Sequence, residues 1–245
     1  MKFENKVIVI CGAGKGIGFN LAKSLDDLGC RLILHAFSNE SMEKLKCSFS
    51  NKKHKYFKCD FSDPLNLEFE WNKQIGVDLK VDGFVNCVGT RLRRPLNLLN
   101  ASLIIQIMTT NFVSHLEMIR ILTKKGNYNS GFSAVGVSSI AAHIGSAGVA
   151  AYAASKAAME AATRCLAKEL FKKKIRVNTV VCGQINTEAY DSFMETKTDA
   201  DNILDRQFLG LGTSQDVSDI ILFLLSDKSR FISGASIPAD GGYLI

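Results

Sequence analysis

Tyr152 and Lys156 are the residues whose types and spacing indicate chemistry most directly, and they lie in the segment Ala150–Lys156. Alanine favours helix, and a separation of four places both side chains on one helical face. Tyrosine alone is a poor acid at neutral pH because its pKa is about 10, but a neighbouring ammonium favours the phenolate and lowers that pKa. Such a pair can protonate a carbonyl oxygen or deprotonate an alcohol. Spacing alone would equally suit a helix with two ordinary surface side chains.

A glycine-rich loop near the N-terminus is the second feature that indicates chemistry. The apolar run Lys6–Cys11 predicts a buried strand, Gly12–Gly18 follows at once, and Phe19–Leu25 has a helical pattern. Glycines between a strand and a helix let the backbone approach a pyrophosphate, whose charge suits the helix N-terminus. The spacing is G-x-x-x-G-x-G, because Ile17 and Phe19 exclude the more common G-x-G-x-x-G. An ordinary tight turn is the alternative interpretation.

The organisation of the chain predicts an α/β fold in one domain spanning residues 1–245. Strand and helix patterns alternate without a linker, which is typical of a Rossmann-type, doubly wound parallel sheet of about seven strands with helices on both faces. The predicted strands are Lys6–Cys11, Arg31–His35, Lys55–Cys59, Asp82–Cys87, Ser133–Ser138, Arg176–Val181 and Ala235–Pro238. The longest predicted helices are Leu103–Lys125 and Val149–Lys173. Ligands of such folds bind beyond the carboxyl ends of the strands.

Composition narrows the class of protein. The net charge is +6, but the Lys52–Lys55 and Lys172–Lys174 clusters lack interleaved aromatic residues, so we expect no nucleic-acid partner. No apolar run is long enough to cross a bilayer, and no secretory leader is visible, so we expect a cytoplasmic protein without a membrane partner.

Neither the histidines nor the cysteines predict a metal site. The four histidines, at positions 35, 54, 115 and 143, have no metal-ligand spacing. The seven cysteines show no C-x-x-C pair and are odd in number, which favours buried free thiols in a reducing compartment. Ser139 could also belong to a hydrolase, but no G-x-S-x-G turn surrounds it.

Several motifs in order resemble the classical short-chain dehydrogenase/reductase family over nearly the whole chain. Cys11–Gly18 is similar to the T-G-x-x-x-G-x-G loop of that family, with cysteine in place of threonine, and Asn86–Gly89 is similar to its N-N-A-G segment. Arg176–Asn178 begins a stretch similar to R-V-N-x-x-x-P-G-x-x-x-T, with Cys182 in place of proline. Asp240–Gly242 resembles the C-terminal D-G-G.

The resemblance implies roles for particular residues. The catalytic tetrad would be Asn111, Ser139, Tyr152 and Lys156. Spacing alone does not choose between Ser138 and Ser139, and the resemblance selects Ser139. The residues that the resemblance assigns to cofactor binding are Gly12, Gly14, Lys15, Gly16, Ile17, Gly18, Ala36, Phe37, Ser38, Asp60, Phe61, Asn86, Cys87, Val88, Gly89, Tyr152, Lys156, Gly183, Ile185 and Thr187.

The implied activity is hydride transfer between NADP(H) and a carbonyl or secondary alcohol, with closest general resemblance to 3-oxoacyl-carrier-protein reductases. Ala36 stands where NAD-preferring members carry aspartate and Lys15 could pair with a 2′-phosphate, whereas Phe37 replaces a frequent arginine. NADP(H) is therefore expected to be preferred, with NAD(H) possible. An NAD(H)-dependent alcohol, sugar or steroid dehydrogenase, or a non-catalytic cofactor sensor, is the alternative.

The resemblance also predicts the surroundings of the active site. Residues 188–211 would form a substrate lid. The substrate would be a small carbonyl or alcohol compound, which could be carried as a thioester. The basic segment Arg91–Arg94 would either line the entrance of the active site, where it would favour anionic substrates, or be an ordinary exposed basic loop. The two long helices would pair between subunits in a homotetramer or homodimer.

Overall fold

A parallel sheet lies at the centre of the computed structural model, which describes residues 1–77, 79–188, 190 and 203–245. The strands are β1 (Val7–Cys11), β2 (Arg31–Ala36), β3 (Lys55–Lys58), β4 (Val81–Asn86), β5 (Tyr128–Ser139), β6 (Arg176–Cys182), β7 (Ile185–Asn186), β8 (Gly212–Thr213) and β9 (Ser236–Ala239). Within the described residues, seven of them form one sheet in the order β3-β2-β1-β4-β5-β6-β9, and β7 pairs with β8. All pairs in the large sheet are parallel.

Helices cover both faces of the large sheet. The α-helices of the described residues are α1 (Gly16–Asp27), α2 (Asn39–Ser48), α3 (Leu67–Gln74), α4 (Ala101–Met108), α5 (Ser114–Leu122), α6 (Ala150–Leu170), α7 (Ile203–Arg206) and α8 (Ser214–Leu225). One apolar core joins the sheet to α1, α2 and α8, and a second core joins its other face to α3, α5 and the end of α6. The predicted doubly wound α/β fold is confirmed.

The reversal of strand order places a crevice beside β1. From β1 the chain first builds outward through β2 and β3, then returns to the other side of β1 with β4. All five residues of β1 are buried, because helices cover the strand on both faces. A crevice at such a switch point, beyond the carboxyl ends of the strands, is where ligands bind in this class of fold.

The predicted long helix Leu103–Lys125 differs from the observed structure. The helical region begins at Ala101, where Asn100 caps it by accepting a hydrogen bond from the Leu103 N–H, and α5 ends at Leu122. Between α4 and α5, residues 109–113 form a π-helical turn that contains Asn111. Hydrophobic periodicity could not predict this turn, because it interrupts the backbone bonding without ending the helix. None of the described helices is long and apolar enough to cross a membrane.

Candidate active site

The glycine loop packs tightly between β1 and β4. Gly12 has a φ of +78°, and a side chain there would meet the carbonyl carbon of Cys87 at 3.0 Å. A Cβ on Gly18 would lie 2.2 Å from the carbonyl oxygen of Gly12. No side chain caps α1, and its first turn carries no acidic residue. The first amide groups of α1 therefore suit an anionic ligand such as a pyrophosphate.

A cavity of about 540 Å³ extends from this loop over the ends of β2 and β3. It is lined by Gly12, Gly14, Lys15, Gly16, Ile17, Gly18, His35, Ala36, Phe37, Ser41, Asp60, Phe61, Ser62, Cys87, Val88, Gly89, Thr90, Gln106, Thr110, Val137, Thr187 and Glu188. Most of the residues predicted to bind cofactor line it. Tyr152, Lys156, Gly183 and Ile185 line the adjoining cavity described below, whereas Ser38 and Asn86 line neither cavity. The fully buried side chain of Asn86 instead accepts a hydrogen bond from the Val88 N–H and contacts His115. It therefore supports the backbone of the cavity wall without lining the cavity.

His35 connects two loops of this cavity, a role that sequence analysis did not assign. Its Nδ1 accepts the N–H of Gly12 at 3.2 Å, and its Nε2 donates to the carbonyl of Cys59 at 3.0 Å. Burial lowers the pKa of His35 to about 4, so the ring is neutral at pH 7 with its proton on Nε2. His35 thereby holds the glycine loop and the segment after β3 in fixed positions relative to each other.

The end of β2 carries no negative charge toward the cavity. Ala36 is the last residue of β2, and Phe37 beside it is 66% exposed. Ser38 caps α2 by accepting the Ser41 N–H at 3.1 Å. Ser41 lines the cavity, and a Cβ on Gly14 would lie 3.3 Å from the Ser41 side chain. The first turn of α2 thus lies against the glycine loop, next to Lys15.

A second cavity of about 600 Å³ adjoins the first over β4, β5 and β6. The two share Lys15, Ile17, Cys87, Gly89, Thr90, Val137 and Thr187. Among the predicted residues, Ser139, Tyr152, Lys156, Gly183 and Ile185 line the second cavity. Three of the four residues predicted for chemistry, Ser139, Tyr152 and Lys156, therefore share one continuous cleft with most of those predicted for the cofactor.

Tyr152, Ser139 and Lys156 meet in this second cavity. Tyr152 is hydrogen-bonded to Ser139, and the Lys156 ammonium lies 5.8 Å from the centroid of the Tyr152 ring. Lys156 is buried, donates to the carbonyl of Val137 at 2.8 Å, and has its pKa lowered to about 8 by desolvation. Gly89 lies against it, since a Cβ there would be 3.1 Å from Nζ.

The pKa of Tyr152 differs from the sequence-based expectation. Burial raises it, and the hydrogen bond with Ser139 and the positive charge of Arg91 oppose that rise. We expected the ammonium of Lys156 to lower this pKa, but Arg91 is the cation that acts on it here. The Arg91 guanidinium carbon lies 5.9 Å from the centroid of the Tyr152 ring. Sequence analysis did not predict this contact, because Arg91 lies in the loop after β4 and Tyr152 lies in the separate helix α6.

Asn111 lies behind the cavity rather than in its wall. Its side chain is fully buried, accepts the Thr90 N–H at 2.7 Å, and donates to the Thr90 carbonyl at 3.0 Å. It also donates to the hydroxyl of Ser155 at 2.9 Å. Asn111 therefore fixes the segment after β4 to α6, the helix that carries Tyr152 and Lys156.

Glu160 lies one turn beyond Lys156 on the face of α6 that also carries Tyr152. Its carboxylate accepts a short hydrogen bond from Ser138 and contacts His143 Nε2 at 2.9 Å. The two adjacent serines thus have different partners, since Ser138 is bonded to Glu160 and Ser139 to Tyr152. Within the described residues, no group of three His, Cys, Asp or Glu side chains could hold a metal ion.

Comparison with known proteins agrees with this arrangement. A family model described as enoyl-(acyl carrier protein) reductase matches residues 12–244. The 3-oxoacyl-(acyl-carrier-protein) reductase FabG of Pseudomonas aeruginosa is 28% identical over 248 residues, covering 99% of this chain and 98% of the relative. Carbonyl reductase (NADPH) 2 of Sus scrofa is 30% identical over 251 residues, covering 100% of this chain and 98% of the relative.

A solved structure shares the architecture. 4-Hydroxyisoleucine dehydrogenase complexed with NADH superposes with a TM-score of 0.87 at 26% identity, covering 98% of each chain. The matches to the family model and to the curated relatives extend over the glycine loop, the sheet and the C-terminal turn alike. The chain therefore belongs to the short-chain dehydrogenase/reductase family of oxidoreductases.

Proposed function

We propose that this chain transfers a hydride between NADP(H) and a carbonyl or secondary alcohol, as a ketoreductase acting on 3-oxoacyl or similar substrates. The observation that carries the proposal is the meeting of Ser139, Tyr152 and Lys156 in a cavity continuous with the glycine-loop cavity. Such continuity would bring a bound dinucleotide and a carbonyl compound together above one acid-base group.

The side chains would divide the chemistry of reduction between them. A bound reduced nicotinamide supplies the hydride. Tyr152 donates its hydroxyl proton to the carbonyl oxygen, while the hydroxyl of Ser139 donates a hydrogen bond to that oxygen. Lys156 is mainly protonated at pH 7 because its pKa is about 8, and its charge would add to that of Arg91 in favouring the tyrosinate left after proton transfer. In oxidation Tyr152 acts as the base.

Three features support a preference for NADP(H). Position 36 is an alanine, so it lacks the carboxylate that would repel a 2′-phosphate. Lys15, in the glycine loop beside Ser41 and the first turn of α2, adds a positive charge. Lys58, paired with Ala36 across β2 and β3, adds a positive charge at the same edge and donates to Asn39 at 2.7 Å. The Sus scrofa relative, named for NADPH, agrees with this preference.

An NAD(H)-dependent dehydrogenase is the second candidate. The exposed ring of Phe37 occupies the cavity rim where an arginine would complete a 2′-phosphate site. The neighbour 4-hydroxyisoleucine dehydrogenase was solved with NADH, and it matches nearly the whole chain. A non-catalytic sensor would keep the cofactor cavity and lose turnover.

The segment 188–211 is proposed as a substrate lid, although residues 189 and 191–202 lie outside those that the structure describes. Glu188 and Tyr190, at its start, line the cofactor and catalytic cavities respectively. At its end, Gln207 bonds to both backbone groups of Gln184, which ties the segment to the loop after β6.

A homotetramer or homodimer is the proposed assembly. Ile105 and Val113 expose apolar side chains on α4 and the π-helical turn. Both of these elements pack against α6, which exposes the small residues Ala150, Ala154 and Ala161. Small residues let helices of two subunits approach closely. Light scattering should give a mass of two or four chains, and a monomeric mass would reject the interface.

The function is tested by following the oxidation of NADPH and NADH with a panel of ketones, 3-oxo esters and 3-oxoacyl thioesters. We expect turnover with at least one class and higher kcat/KM with NADPH. Cofactor binding without turnover across the panel would favour the sensor, and better efficiency with NADH would favour the second candidate.

A further inference from the structure

The second cavity, which contains Tyr152, has a positively charged wall. Three of its cations, Arg91, Arg93 and Arg94, lie in one segment, which we call the arginine loop. Lys15 and Lys156 also line the cavity, and the described lining residues include no aspartate or glutamate. A concave site with charges of one sign attracts ligands of the opposite sign. Lys15 and Lys156 lie toward the cofactor cavity, whereas the proposed function gives the arginine loop no role.

The arginine loop is held at both ends. At its start, the side chain of Asn111 bonds to both backbone groups of Thr90. At its end, the N–H of Arg94 donates to the carbonyl of Gly148 at 2.8 Å, just before α6 begins. Because α6 carries Tyr152, these contacts fix the loop relative to the proton donor.

Arg91 lies close to the proposed proton donor. Its guanidinium carbon is 5.9 Å from the centroid of the Tyr152 ring, and its charge acts on the pKa of that phenol. A substrate whose carbonyl oxygen contacts Tyr152 would therefore place its neighbouring atoms close to a guanidinium group. Guanidinium groups bind carboxylates through paired, charge-assisted hydrogen bonds.

We propose that the substrate is a short oxo acid, whose free carboxylate is bound by Arg91 while its carbonyl is reduced at Tyr152. This inference rests on the proposed function and selects a free acid over a thioester carried by a partner. In the step, the hydride of the reduced cofactor adds to the carbonyl carbon and the Tyr152 proton to the carbonyl oxygen. The carboxylate is unchanged, and the product is a hydroxy acid.

The test compares acetoacetate with two neutral analogues, ethyl acetoacetate and the N-acetylcysteamine thioester of acetoacetate, using NADPH. We expect kcat/KM for acetoacetate to exceed that of either analogue by about 10- to 100-fold, the range that one or two charge-assisted hydrogen bonds supply. Arg91→Gln should abolish this advantage, and Arg91→Lys should restore part of it. Lys172→Gln, which removes one charge far from the cavity, is the matched control and should leave the advantage unchanged.

A binding measurement separates the two proposals. Calorimetry of acetoacetate with the protein–NADP⁺ complex, which cannot react, should show binding that Arg91→Gln weakens by a similar factor. If no carbonyl compound is reduced but this Arg91-dependent binding is present, the proposed function fails and the anion site stands. If the neutral analogues are reduced as well as acetoacetate, or if Arg91→Gln changes neither selectivity nor binding, the anion site is overturned.

Discussion

The catalytic centre and the rim of the cofactor cavity at the end of β2 are built in different ways. Lys156 is buried and bonded to the Val137 carbonyl, and Tyr152 is bonded to Ser139. At the rim, by contrast, Lys15 and Phe37 are exposed at the mouth of the cavity. The proposed acid-base chemistry would thus depend on side chains that buried contacts hold in place, whereas cofactor preference would depend on exposed side chains. Substitutions should therefore cost more at the centre than at the rim.

The largest effect is expected from Tyr152→Phe. Phenylalanine keeps the ring and removes the proton donor, so turnover should fall by about 100- to 10,000-fold while cofactor affinity is nearly unchanged. Steady-state kinetics and cofactor fluorescence titration measure the two quantities. A variant that retains a substantial share of the wild-type rate would show that Tyr152 is not the acid.

Lys156→Ala should lower both rate and cofactor affinity, the rate on the order of 100-fold, because one buried charge is expected to serve both. Since the pKa of Lys156 is about 8, the wild-type group loses its charge as pH rises through that value. Wild-type cofactor affinity should then fall above pH 8, whereas the affinity of the variant should stay low and change little over that range. A wild-type affinity independent of pH would contradict the role of the ammonium.

At the rim, Ala36→Asp should reverse the cofactor preference. We expect the wild-type protein to prefer NADPH by about 10- to 100-fold, or about 1.4–2.8 kcal/mol. The new carboxylate would repel a 2′-phosphate, so the variant should prefer NADH. Lys15→Ala should shrink the preference without reversing it. The ratio of kcat/KM values for the two cofactors measures the change, and an unchanged ratio in both variants would place the discrimination elsewhere.

The smallest effect is expected from His35→Gln, which perturbs the support of the rim rather than a direct contact. The variant should lose one hydrogen bond that bridges two loops, and such a bond contributes about 1 kcal/mol. Cofactor affinity should therefore fall about fivefold. The folded-state pKa of His35 is lowered to about 4 from 6.5, so the unfolded chain binds more protons between these values and wild-type stability falls as pH falls through them. Chemical denaturation of the variant should show a shallower fall. An identical pH dependence would exclude His35 from that effect.

Much of the fold and part of the site followed from local sequence patterns. Buried β-branched runs such as Val7–Cys11 and glycines between a strand and a helix are local signals, and both appear in the structure where predicted. The alternation of strands and helices was sufficient to predict a parallel sheet with ligand-binding residues beyond the carboxyl ends of its strands.

Contacts between distant segments could not be predicted. The π-helical turn at Asn111, the bridge from His35 to Gly12 and the approach of Arg91 to Tyr152 each depend on how two separate segments pack. The raised pKa of Tyr152 shows the same limit, because burial of the hydroxyl outweighs the neighbouring charges. Spacing along one helix indicates which groups share a face, but it does not indicate how deeply they are buried.

The central claim is hydride transfer at Tyr152, and isotope labelling tests it most directly. The protein is incubated with NADPH carrying deuterium on the transferable position of the nicotinamide ring, together with a substrate that the panel identifies, and the alcohol product is analysed by mass spectrometry. We predict one deuterium on the former carbonyl carbon in the wild-type product and no such product from Tyr152→Phe in the same time. Oxidised cofactor without labelled alcohol, or equal labelled product from both proteins, would contradict the account.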